Sequence, residues 1–101
     1  MTIGNCTITD LVRICHNIAE EKGFWDEDRN KGELIALMHS ELSEALEELR
    51  KGNQGGVAEE LGDCVIRIFD YCGADDINLE DVIYWKIRKN KDRPYKHGKK
   101  F

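Results

Sequence analysis

Apolar residues recur at Ile8, Leu11, Val12, Cys15, Ile18 and Ala19, close to the i, i+3, i+4, i+7 rhythm of one helical face. That rhythm predicts a first helix, capped by Thr7 or Thr9 and running to about Lys22, with Gly23 as a stop just past its end. Phe24 to Lys31 reads as a loop that carries Trp25. A second stripe, Leu34, Ile35, Leu37, Met38, Leu42, Ala45, Leu46 and Leu49, predicts a helix from about Gly32 to Lys51. The run Gly52-Asn53-Gln54-Gly55-Gly56 breaks it. A third helix is expected from about Val57 to Cys72, with Leu61, Val65, Ile68 and Phe69 inward and Gly73 at its end. Asn78 then caps a fourth helix reaching Lys89 or Lys91, which Pro94 stops. No segment alternates convincingly at the period of a strand. The expected fold is all-α: one domain over residues 1–101, four helices with short links in a bundle-like arrangement.

Composition changes this picture in one respect. Apolar content is 41% and charged content 35%, so the apolar stripes are thin, and oligomerisation would add buried area to a small core. A homodimer or homotetramer is expected. No stretch approaches the roughly 20 apolar residues of a membrane span. Met1 to Asn5 shows no basic segment leading into an apolar one, so a signal peptide is not expected, and the chain is placed in the cytoplasm. Cys6, Cys15, Cys64 and Cys72 form no CxxC pair and read as reduced thiols in or near the core.

Charge is unevenly spread. From Lys86 to Phe101 eight Lys or Arg face one Asp, a local charge of +7. The net charge is −5, so residues 1–85 carry −12. A basic tail is compatible with nucleic acid, but the acidic body would repel a phosphate backbone, and no nucleic-acid partner is expected. A tail that lies over an acidic, metal-bearing site and holds an anionic substrate accounts for both halves of the asymmetry.

The chemistry concentrates in two acidic pairs, Glu41 with Glu44 and Glu60 with Asp63. Residues three apart share a helical face, so each pair aims two carboxylates at one point. If the two helices pack antiparallel, the four carboxylates converge, and such a cluster requires bound cations or bound protons. Hard oxygen ligands suit Mg²⁺, with Mn²⁺ as a substitute. A single ExxE in a charged helix is most often a solvated face, as Glu47 and Glu48 illustrate. Here the pairs lie on consecutive helices beside Met38, Leu42, Ala45, Leu61, Cys64 and Val65, and no Lys or Arg on these helices is spaced to neutralise all four. There is no ExxH for a di-iron site, and no GxxxxGK[ST] or GxGxxG phosphate loop. Lys86, Asn90 and Arg93 share a face if the fourth helix persists to Arg93; Lys and Arg suit phosphate, and Asn a base or ribose. His16 beside Cys15 reads by itself as a structural histidine, and Trp25 either covers the core or stacks on a base.

The segments HSELSEALEELR, EELGDCVIRIFD and KIRKNKDRPYKHGKK together resemble the MazG-like all-α NTP pyrophosphatase superfamily. Its signature, ExxE, a spacer and ExxD, matches Glu41 and Glu44, fifteen intervening residues, then Glu60 and Asp63; Lys86, Asn90 and Arg93 add a KxxxNxxR-like element. The resemblance covers the second to fourth helices and, more weakly, the first. It implies an oligomeric, Mg²⁺-dependent enzyme that converts a nucleoside triphosphate and water to the monophosphate and pyrophosphate, often to clear non-canonical or excess deoxynucleotides. It further implies that the four acids are metal ligands and catalytic, and that Lys86, Asn90 and Arg93 contact substrate. The dCTP pyrophosphatase branch uses a His on the first helix and a Trp in the following loop around the base; His16 and Trp25 match by spacing. That branch has a Tyr one turn after the ExxD Asp, where this chain has Arg67. Two other readings remain open here: a phosphoribosyl-ATP pyrophosphatase of the same superfamily, and a non-catalytic helical dimerisation or regulatory module.

Overall fold

The computed structural model describes residues 4–98. Met1 to Ile3, and Lys99 and Lys100 of the basic tail with Phe101, lie outside the described residues. Four helices follow one another: α1 (Ile8–Glu21), α2 (Lys31–Arg50), α3 (Gln54–Ala74) and α4 (Leu79–Lys91), then a short 3-10 turn at Tyr95–Gly98. No strand occurs among the described residues. Each helix starts at a side-chain cap. Thr7 and Asp10 form a reciprocal capping box at α1, which decides between Thr7 and Thr9. Asn30, Asn53 and Asn78 accept from the N–H groups of Glu33, Gly56 and Asp81 at the other three.

Two boundaries differ from the pattern-based expectation. Gly55 and Gly56 lie inside the first turn of α3 rather than in the break, because the Asn53 cap holds that turn despite the low helix propensity of glycine. Gly73 lies within α3 and does not end it. Its bare Cα admits α1: a Cβ there would stand 2.5 Å from His16 Cβ and 3.3 Å from the Val12 carbonyl oxygen. This glycine answers to packing between helices, not to a stop.

α3 is the central element, with α2 and α1 packed on it, and α4 makes its main contact with α1. The pairings Lys31–Asp75 and Glu41–Arg67 show α2 running antiparallel to α3, since one number rises as the other falls. The core is small: Val12, Ala19, Leu34, Ala45, Cys64 and Cys72 are buried, and no large side chain among the described residues is fully buried. Contrary to the inward assignment, Leu61 and Val65 are 46% and 43% exposed. Ile35, Leu42, Leu46 and Leu49 of the α2 stripe are also exposed, the last at 62%. The stripes imply one shared core, but a layer centred on α3 has too little neighbouring helix to cover them. α4 buries nothing and leaves Val82, Tyr84, Trp85 and Ile87 exposed. The radius of gyration, 16.1 Å, exceeds the roughly 13 Å of a compact 100-residue domain, so one chain does not close a bundle. All four cysteines are free thiols. No described helix is long and apolar enough to cross a membrane.

Candidate metal centre and groove

The α2–α3 hairpin brings the acidic motifs together. Carboxylate oxygens of Glu41, Glu60 and Asp63 lie within 4.8 Å of one another. Glu44 is not part of that triad, but its carboxylate stands beside Glu60 and perturbs it. Three of the four acids thus converge, while Glu44 is more exposed at the rim. Glu41 is the buried carboxylate of the set, 8% exposed.

The electrostatics follow from the geometry. The neighbouring Glu44 carboxylate, then that of Glu41, push the Glu60 carboxyl up to about 8, because facing carboxylates repel unless they share a proton. Glu60 Oε2 is buried and has no hydrogen-bond partner among the described residues. Glu41 moves the opposite way: Arg67 Nε donates to Glu41 Oε1 at 2.9 Å and holds that carboxyl below the usual range. The spacing predicts that no Lys or Arg on these helices neutralises all four acids. Arg67 on α3 neutralises one of them, leaving the rest of the cluster with excess negative charge. Three converging hard oxygens, one buried acceptor without a donor and an uncompensated charge form a donor set suited to Mg²⁺ or Mn²⁺.

A groove of about 510 Å³ opens beside this cluster. Glu41 and Asp63 line one part of it, Arg67 and Asp70 continue along α3, and Cys15, Ile18, Leu37 and Ile66 supply apolar walls. Behind Asp70 sits a second constellation. His16 Nδ1 lies 2.8 Å from Asp70 Oδ1, and Trp25 Nε1 donates to the same oxygen at 2.9 Å. The two rings meet edge to face at 5.5 Å, and the Arg29 guanidinium lies 5.6 Å from the Trp25 ring centre. His16 Nε2 faces Glu20 at 3.2 Å. His16 and Trp25, paired earlier only by likeness to one branch of a family, are thus held together by Asp70. Sequence reasoning missed Asp70 and undervalued Arg67. The signal was present: Glu60, Asp63, Arg67 and Asp70 recur at three, four and three residues, one continuous polar face of α3.

The basic residues are less well assembled. α4 ends at Lys91 with Asp92 as its cap, so Arg93 is not on the helix that carries Lys86 and Asn90. The backbone turns there, with the Arg93 N–H donating to the Asn90 carbonyl. None of the three lines the groove within one chain. Lys86 and Lys89 instead lie over the Trp85 ring, at 5.8 and 4.9 Å from its centre. Another groove, about 320 Å³, lies between α1 and the α3–α4 turn, bordered by Arg13, His16 and Asn78 and without the acidic cluster.

Comparison with known families adds one finding. The model of the MazG nucleotide pyrophosphohydrolase domain matches residues 29–97, a span that holds both acidic motifs and α4 and leaves His16 and Trp25 outside. No curated protein and no solved structure matches the chain. With most of its length matched, and its two acidic motifs meeting on one helical hairpin, the chain belongs to the MazG nucleotide pyrophosphohydrolase domain family.

Proposed function

We propose that the protein is a Mg²⁺-dependent nucleoside triphosphate pyrophosphohydrolase, cleaving a (deoxy)nucleoside triphosphate to the monophosphate and pyrophosphate in nucleotide-pool house-cleaning. The observation that carries this reading is the convergence of Glu41, Glu60 and Asp63 around a buried oxygen with no donor, at the edge of an open groove. Glu41, Glu44, Glu60 and Asp63 would hold the cation. When bound, it would supply the positive charge that balances the phosphates and acidifies the attacking water. Glu44, the most exposed of the four, takes the proton of that water. The apolar walls accept the flat face of the nucleoside, and His16 and Trp25, tied to Asp70, border the base.

In this reading Lys86, Asn90 and Arg93 bind the triphosphate from a second copy of the chain, since they do not line the groove of their own. The exposed apolar faces of α2 and α4 support a homodimer or homotetramer. The deciding experiment is a screen for pyrophosphate release across canonical and modified NTPs and dNTPs, with and without Mg²⁺. Release that needs Mg²⁺ is expected. Absence of release from every substrate would instead favour a non-catalytic helical module.

A further inference from the structure

Arg67 is the one residue of the acidic face that the proposed reaction leaves without a task. Its position is unusual for a residue that only neutralises charge. It is half-exposed, its side chain 40% accessible, while the Glu41 carboxylate it binds is 10% accessible. It borders the groove beside Glu41 and Asp63, and it also borders the small cavity formed with Trp25, Arg29 and Asp70. The guanidinium thus stands between the acidic cluster and the nucleoside end of the groove. Asp70 is one turn further along α3, and both of its described hydrogen bonds go to Oδ1.

We infer that Arg67 is a built-in counter-cation that couples metal loading to phosphate binding. This rests on the metal-dependent reading above. Without a divalent cation, the guanidinium balances Glu41 and keeps the hairpin from splitting under like-charge repulsion. A divalent cation on the cluster competes for the same Glu41 oxygen and repels the guanidinium. Arg67 then leaves Glu41 and turns into the groove, where its planar donors meet the phosphates of the incoming substrate. An empty site therefore offers a triphosphate acidic oxygens and an occupied arginine, whereas a loaded site offers metal and a free arginine. Metal binds first, the nucleotide second, and each strengthens the other. Arg67 thus acts on metal affinity through Glu41 and on the nucleotide directly.

The sign of one effect separates this from a purely structural ion pair. If Arg67 only locked α2 to α3, its removal would loosen the cluster and weaken metal binding. As a competitor, its removal strengthens it. For Arg67→Gln, Mn²⁺ affinity measured by calorimetry without nucleotide should rise about fivefold or more, while affinity for an α,β-methylene deoxynucleoside triphosphate in saturating Mg²⁺ should fall about tenfold. The unmutated protein gives a second test that does not depend on the variant folding. Its arginine Nε–H resonance, assigned by its disappearance in Arg67→Lys, should shift and lose protection from exchange as Mg²⁺ is added. Unchanged or weaker Mn²⁺ binding in Arg67→Gln, or an Nε–H resonance that stays fixed while the amides of Glu41, Glu60 and Asp63 respond to Mg²⁺, would overturn the inference and leave the pyrophosphohydrolase reading standing. If the unmutated protein binds neither cation, that reading fails and this one with it.

Discussion

At the scale of single residues, Glu60 and Glu41 show how one cluster splits identical side chains. Glu60, raised to about 8, keeps its proton where an ordinary carboxylate at 4.5 has lost it. Between those values the folded chain binds a proton that the unfolded chain has released. The resulting stabilisation is full below about 4.5 and is lost as the pH rises through about 8. Glu41, depressed by Arg67, has the opposite sign: its contribution is present above the usual carboxylate range and is lost as the pH falls through its lowered value. In the presence of a chelator, the melting temperature should therefore decline from roughly pH 6 to pH 9, and Glu60→Gln should flatten that decline. A thermal scan series at constant ionic strength checks it; an unchanged slope in the variant would place the pH dependence elsewhere. Separately, Glu41→Gln, Glu44→Gln, Glu60→Gln and Asp63→Asn should each remove most pyrophosphate release while circular dichroism stays helical. Full activity in any two of them would sink the assignment of the site.

At the scale of elements, α1 and α3 meet at a glycine. Gly73→Ala would place a methyl 2.5 Å from His16 Cβ, and neither that backbone-proximal carbon nor the Val12 carbonyl is a flexible chain end. The helices must separate, at a cost of about 1–3 kcal/mol, which outweighs the gain in helix propensity of up to about 1 kcal/mol. Thermal or urea unfolding measures the balance, and equal or higher stability would show that α1 is free to shift. Because His16 sits at that contact and is bound to Asp70, which lines the groove, the same change should disturb the cluster that Asp70 forms with His16 and Trp25. α4 invites a kinetic test. Lys86→Ala and Arg93→Ala should each lower kcat/KM by about 1.5–3 kcal/mol, the scale of a hydrogen bond to a charged group. If neither variant changes kcat/KM, the basic segment serves solubility or a partner surface and takes no part in substrate binding.

At the scale of the molecule, one chain leaves much of its apolar surface uncovered. Among the described residues fourteen large apolar side chains are exposed, spread over all four helices, the α1–α2 loop at Phe24 and the turn at Tyr95, and the cationic residues of α4 do not line the groove of their own chain. A homodimer or dimer of dimers burying more than about 2,000 Å² in total is expected, with the apolar face of α2 inside it. Light scattering at low micromolar concentration checks this, and a stable, fully active monomer would refute it. An assembly of that kind also unites two facts that a single chain keeps apart, the acidic body and the basic end.

What the sequence determined by itself was local. Thr7 and Asn78 cap helices through hydrogen bonds that span three residues, as Asn30 and Asn53 also do where the pattern reads only a loop and a break, and the i, i+3 spacing of Glu41 with Glu44 and of Glu60 with Asp63 puts each pair on one face whatever the surroundings. A short turn then leaves the two faces little choice but to meet. Only the tertiary structure decided what depends on contacts distant in the chain. It turned Leu61, Val65 and Leu49 outward, because periodicity says that a helix has an apolar face and not what will cover it. It kept Gly73 inside α3 for the sake of α1. It gave Glu41 a cation 26 positions away, and gathered His16 and Trp25 on Asp70 across 54 and 45 positions. Those partners are set by which helix packs on which, a property of the whole chain's buried area that no local spacing encodes.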